Sequence, residues 1–203
     1  MRDHFGKLRS SGDPAADVQR FYRDAGRLDT LAHVTQVAAE AQILATRHGA
    51  DREAILLAAL AHDLAAVVPE SERIAVAAGM GLLLDEADRR IPLLLHGPIA
   101  SAVLDKTLGV RDEDVLDAVR YHSTLRAGAS TLEKIVFVAD KIAYDPTSPH
   151  GGEYLPELRA APTLEDEALV YLRFLRDHAS RHGWRVHPNA VAAYRELTGQ
   201  VVR

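Results

Sequence analysis

From Leu31 onward, apolar residues return every three or four positions. Leu31, Val34, Val37, Ala38, Ala41, Leu44 and Ala45 form one stripe at helical spacing, and Gly49 closes it. Asp51 is placed to cap a second helix running through "REAILLAALAHDL", apolar on nearly every side and therefore central, with Pro69 beyond it. "SERIAVAAGMG" predicts a short helix stopped by glycines. In "HGPIASAVLDKTLG", Pro98 lies in the first turn and Gly109 just past the end. Asp112 caps "EDVLDAVRYHS", and Ser130 with Glu133 makes a capping box for "TLEKIVFVADKIA". A loop rich in Pro, Gly and Ser follows at "YDPTSPHGGEYLP". Thr163 then opens a long amphipathic helix to about residue 181, with the acidic run "EDE" in its first turn, and "HPNAVAAYRELTG" forms a last short one. No run reads as a strand, and no repeat or low-complexity tract is present. The pattern predicts an all-α fold. Residues 1 to about 20 lack a strong period and read as an arm or a loosely anchored first helix.

Composition narrows the chemistry. The chain of 203 residues is 47% hydrophobic with few aromatics, which suits one helical globular domain. It contains no cysteine, so disulfides, thiolate metal sites and a cysteine nucleophile are excluded. A net charge of −5 argues against general nucleic-acid binding. The longest apolar run, Ala54 to Val68, is too short to span a bilayer and is interrupted by His62 and Asp63. No secretory signal is visible, which places the chain in the cytoplasm, away from membranes.

That interruption raises a physical problem, because an ionised carboxylate in an apolar helix is costly unless a positive group lies beside it. Other polar groups share inward faces. His33 lies on the stripe four residues before Val37. His122 is three after Val119, Asp140 is four after Val136, and His96 stands just before a helix start. A lone inward histidine is ordinarily a hydrogen-bonded core residue. Six potential ligands from five helices or helix ends, two of them aspartates, point instead to a shared cation. A thiolate-free set of imidazoles and carboxylates suits iron, manganese, cobalt, nickel or zinc better than magnesium.

The order His33, His62-Asp63, Asp140 resembles the H…HD…D signature of the HD superfamily of metal-dependent phosphohydrolases. The match extends through "AHVTQVAAEAQILATRHGADREAILLAALAHDLA", "LLHGPIASAVLDKTLGVRDEDVLDAVRYHST", "TLEKIVFVADKI" and the late "VHP". Over residues from about 28 to 195 the chain is similar to the YqeK family of symmetrical bis(5′-nucleosyl)-tetraphosphatases. The resemblance implies an HD-type helical fold with a C-terminal helical extension and a divalent transition metal, iron foremost, as one or two ions. It implies His33, His62, Asp63 and Asp140 as primary ligands, with His96 and His122 completing a second position or meeting phosphate. Asp63, His96 and His122 are the catalytic candidates, the two histidines neutralising phosphate oxygens when protonated. Thr124, Arg126 and Lys141 are the substrate-binding candidates. Arg126 could equally be an ordinary loop arginine, and Lys141 a residue of a solvated helix face. His187 reads as a helix-start residue.

The implied reaction is attack of a metal-activated water on diadenosine tetraphosphate, giving two ADP. The chain departs from the family pattern at Thr30, Ala66 and Ala143, where basic or acidic residues are usual. Two alternatives therefore stand: another HD nucleotide phosphohydrolase or phosphodiesterase, or a nucleotide-sensing module that has lost turnover. The expected organisation is one domain over 1–203, with an arm to about 26, a metal-binding core over about 27–145 and a loop with C-terminal helices after it. A homodimer is compatible with this reading.

Overall fold

Helices begin where short polar side chains can cap them. Asp13 opens α1 (Pro14–Asp24), Asp51 opens α3 (Arg52–Ala61), and Asp112 opens α7 (Glu113–Tyr121); each accepts a backbone N–H of its first turn. Ser130 and Glu133 form the predicted capping box of α8 (Thr131–Ile142). The computed structural model describes residues 3–143 and 152–199, and within them the chain is helical without a strand. Between the capped helices lie α2 (Leu28–His48), α4 (Glu70–Gly79), α5 (Glu86–Arg90) and α6 (His96–Val103). After α8 come α9 (Leu155–Ala160), α10 (Leu164–His182) and α11 (Pro188–Leu197). Most of the Pro/Gly/Ser-rich loop, 144–151, lies outside the described residues. Among those residues no single helix is long and apolar enough to cross a membrane.

The α2 stripe packs onto α3 and α8, and α7 packs against α3, α6 and α8. Ile55, Val34, Val37, Val136 and Phe137 are wholly buried at these contacts. Each such side chain contributes roughly 1.5–3 kcal/mol. The last three helices lie over α8 from one side through α10.

Three expectations change. The first helix is firmly anchored, because Val18, Phe21 and Tyr22 are buried in the core; two aromatics outweigh a weak period. Helix α3 stops at Ala61, with a 3₁₀ turn over Leu64–Val67 instead of the expected continuation through Leu64. Val68, just before Pro69, is extended, as a pre-proline residue prefers. The run 85–95 forms α5 and a 3₁₀ turn over Pro92–Leu95, too short to show a period in sequence.

One glycine sets a helix separation that matters for the site. A Cβ on Gly97 would lie 2.6 Å from the Arg120 carbonyl oxygen and 3.1 Å from that of Val119. The α6 backbone therefore rests directly on the last turn of α7. Replacing Gly97 with Ala is expected to cost about 1–3 kcal/mol by overpacking, measured as a lower denaturation midpoint with an unchanged m-value.

Candidate functional site

Three of the six candidate ligands share one local device. His62 follows the last residue of α3, His122 follows the last of α7, and His96 follows a 3₁₀ turn. Carbonyls near a helix C-terminus lack intrahelical donors. Each ring uses the one three residues back. His62 Nδ1 donates to Ala59 O at 2.8 Å, His122 Nδ1 to Val119 O at 2.8 Å, and His96 Nδ1 to Leu93 O at 2.7 Å. With the proton held on Nδ1, each Nε2 carries a lone pair, the arrangement usual for a metal-ligating histidine.

Those lone pairs converge. His96 Nε2 and His122 Nε2 face each other at 2.9 Å, and the buried His62 Nε2 has no hydrogen-bond partner. Asp63 lies between them. Its Oδ1 is 3.4 Å from His96 Nε2 and 4.0 Å from His122 Nε2, while Oδ2 is 3.7 Å from His62 Nε2 and 3.9 Å from His33 Nε2. Asp140 Oδ1 lies 3.1 Å from His33 Nε2 and 3.7 Å from His62 Nε2. Three overlapping triads therefore have their ligand atoms within 4.8 Å of one another: His33–His62–Asp63, His62–His122–Asp140 and Asp63–His96–His122. All six sequence candidates are brought together. Two facing lone pairs and an orphaned buried nitrogen are electrostatically unfavourable alone and favourable around a cation, so this donor set fits a divalent ion.

Charge supports the same assignment. Burial pushes the Asp63 carboxyl up, and the attraction of any positive charge placed among the His62, His96 and His122 rings outweighs it, so the carboxyl lies below the usual range. Among the described residues, Asp63 forms its ion pairs with histidines alone. Asp140 is also pushed up by burial, but Lys141 and the His33 hydrogen bond bring it well below the ordinary value. Burial lowers His96, and lowers His122 further with help from the neighbouring rings. A downward shift favours the uncharged ring, the form in which an imidazole nitrogen can act as a metal ligand.

The substrate candidates divide. Lys141 is buried, not solvated, with Nζ 2.5 Å from Asp140 Oδ2 and about 5 Å from the rings of Tyr171 and Phe137. It lines the cavity beside the cluster, as does Thr124. Arg126 does not. Its Nε and Nη2 hold the two oxygens of buried Glu133 at 2.8 and 2.9 Å, and Nη2 also reaches Asp117 Oδ2 at 2.9 Å. The guanidinium is thus engaged as a clamp on the start of α8. Glu167, one of the three acids in the first turn of α10, is likewise buried and paired with Arg47 at 2.9 Å.

Sequence reasoning missed two contributors. Ser123 Oγ donates to His122 Nε2 at 2.9 Å and lies 3.3 Å from His96 Nε2. Arg73, buried on α4, donates to Leu93 O at 2.5 Å and to Val68 O at 3.1 Å. It thereby fixes the same carbonyl that orients His96. Neither residue stands in a ligand motif; the burial of an arginine is visible only once α4 meets the turn before His96. Two departures from the family pattern also meet in space: Arg27 bonds Ala66 O and Thr30 Oγ1, each at 3.2 Å.

The cluster opens into a cavity of about 680 Å³ whose far wall is aromatic and aliphatic, with Tyr171, Phe174, Leu175 and Trp184. Polar groups converging at one end of an apolar cleft describe a small-molecule site. An all-helical fold bearing such a cluster defines a metal-dependent phosphohydrolase of the HD type, and comparison agrees. The HD domain family model matches residues 30–145, and the chain belongs to that family. Within it, the chain belongs with proteins named symmetrical bis(5′-nucleosyl)-tetraphosphatase. One from Halalkalibacterium halodurans is 30% identical over 171 residues, 81% of this chain and 87% of that protein. One from Bacillus subtilis is 38% identical over 110 residues, covering 54% of this chain and 59% of the relative. A solved structure from Clostridium acetobutylicum, described as a predicted HD superfamily hydrolase involved in NAD metabolism, superposes with a TM-score of 0.82. It is 29% identical and spans 95% of this chain and 100% of its own.

Two variants separate the clamp from the cluster. Arg126→Ala leaves the Glu133 carboxylate buried without its partner and is expected to cost about 2 kcal/mol of unfolding free energy, read by denaturant titration, with metal content unchanged. His62→Ala and Asp63→Ala are expected to remove bound metal, read by elemental analysis, while far-UV circular dichroism keeps its helical amplitude.

Proposed function

We propose that the chain is a metal-dependent hydrolase that cleaves diadenosine tetraphosphate symmetrically, releasing two ADP. The observation that carries this reading is the gathering of His33, His62, His96, His122, Asp63 and Asp140 into three overlapping triads of potential ligand atoms. The cluster stands at the head of a cavity of nucleotide size in a chain related to enzymes of that name. His33, His62, Asp63 and Asp140 would hold the first ion. His96 and His122, with the other oxygen of Asp63, would hold a second. That Asp63 Oδ1 faces His96 and His122 while Oδ2 faces His62 and His33 supports room for two ions. The donor set suits iron, manganese, cobalt, nickel or zinc, and the resemblance to the tetraphosphatase family puts iron foremost. When bound, the metal supplies a Lewis acid for phosphate oxygens and lowers the pKa of a coordinated water.

The protein's own groups do the rest. The three Nδ1–carbonyl bonds keep the rings from turning, so no reorganisation is needed as charge develops. Lys141 holds Asp140 in place and adds positive charge beside the polyphosphate. Thr124 and Ser123 supply hydroxyls on the opposite wall. The aromatic wall of the cavity takes one base by stacking and keeps bulk water from that side.

Incubation of metal-replete protein with diadenosine tetraphosphate, followed by ion-exchange chromatography, is expected to yield ADP alone. AMP with ATP would mean asymmetric cleavage and a different HD hydrolase, and tight binding without product would mean a sensing module.

A further inference from the structure

A second cavity, of about 420 Å³, lies on the other side of the cluster's polar wall. It is formed by the segment between α4 and α5, the end of α7 and the start of α11, through Leu82, Asp88, Arg120, Tyr121 and Asn189. The two cavities share a wall: Leu94, Ser123, Thr124 and His187 line both. Ser123 is the residue whose hydroxyl touches His96 and His122, so that shared wall borders the ligand cluster.

We propose that this smaller cavity seats the second nucleoside of a dinucleoside polyphosphate whose first half fills the larger one, so that the bond between the halves lies at Ser123 and the cluster. The inference rests on the reading given under Proposed function. Its logic is geometric. Symmetric cleavage requires the central bridge at the reacting centre, and two equal halves must then extend from it in different directions. Both cavities fall within the volume range of about 300–1,000 Å³ typical of ligand pockets, and the wall they share includes Ser123, which touches the cluster.

The chemistry of the smaller cavity selects a nucleoside end over phosphate. Asp85 and Asp88 would repel phosphate, but a carboxylate is a good acceptor for ribose hydroxyls or a base amino group. In the reciprocal cap of α5, Asp85 Oδ1 takes the Asp88 N–H and Asp88 Oδ2 takes the Asp85 N–H. Asp88 Oδ1 faces His187 Nε2 at 3.7 Å, too far for a direct hydrogen bond. His187, buried at the junction, has a defined tautomer: Nδ1 accepts the Asn189 N–H at 3.2 Å, so Nε2 carries the proton. That proton argues against a cation held by Asp85, Asp88 and His187, and it leaves a donor and an acceptor lining the same cavity. Tyr121 lends a ring face to the same cavity, and the Arg120 guanidinium lies 5.9 Å from that ring.

Two measurements test this. Equilibrium dialysis of the full-length, metal-loaded protein against ADP is expected to give two equivalents per chain, falling to one in Asn189→Trp, which fills the smaller cavity. In turnover, Asn189→Trp is expected to lower kcat/KM for diadenosine tetraphosphate about tenfold more than for adenosine 5′-tetraphosphate, which has a single nucleoside. Leu83→Ser, at a rim position 99% exposed and therefore outside the core, is expected to shift the same ratio in the same direction by a few-fold. A single ADP equivalent in the unaltered protein, or equal losses on both substrates, would overturn the proposal. Two equivalents without hydrolysis would instead overturn the catalytic reading and leave the second seat standing.

Discussion

Three imidazoles held by carbonyls three residues behind them govern the rest of the structure. Because His62, His96 and His122 each commit Nδ1 to the backbone, each must present Nε2 to the same interior point. That choice leaves lone pairs facing one another and brings Asp63 among them, with no lysine or arginine paired to it among the described residues. The fold tolerates this only with a compensating positive charge, and a metal ion supplies it more compactly than any side chain could. The requirement accounts for features otherwise unrelated: α3 ending at Ala61, the close seat of α6 on α7 at Gly97, and a buried arginine on Leu93 O.

The surrounding helices provide the rigidity that such a site needs. The α2, α3, α7 and α8 faces bury aliphatic side chains fully, and every candidate ligand but His96, which opens α6, stands at or near the end of one of these elements or on its inward stripe. Ligands at helix ends gain unsatisfied carbonyls as hydrogen-bond partners, which mid-helix positions lack. The site is therefore assembled from backbone groups that the helices leave unused. Lys141 and Arg126 show the contrast between two basic residues near it. Lys141, buried against Asp140 and two aromatic rings, borders the reacting space. Arg126 spends its donors on Glu133 and Asp117 and braces the start of α8.

Much of this was legible in the chain itself. The caps at Asp51, Asp112, Ser130 and Thr163 stand where expected, since capping is a local bargain between a side chain and the next turn. His33, His122 and Asp140 were readable as inward-facing from period alone. Helix α1 was underestimated, because Phe21 and Tyr22 are anchored by residues distant in sequence. The short elements at 86–95 were illegible, because fewer than two turns carry no period.

By itself, the sequence determined the helical class, most of the element ends and the identity of the six converging groups. All of these rest on interactions within a few residues or on the spacing of apolar positions. Only the tertiary structure decided which atom of each ring faces inward and that Arg126 faces a carboxylate. It alone showed that Ser123 and Arg73 support the cluster and that two cavities share a wall beside it. Those facts depend on distances between residues from different helices, and no periodicity along one helix encodes the distance to another.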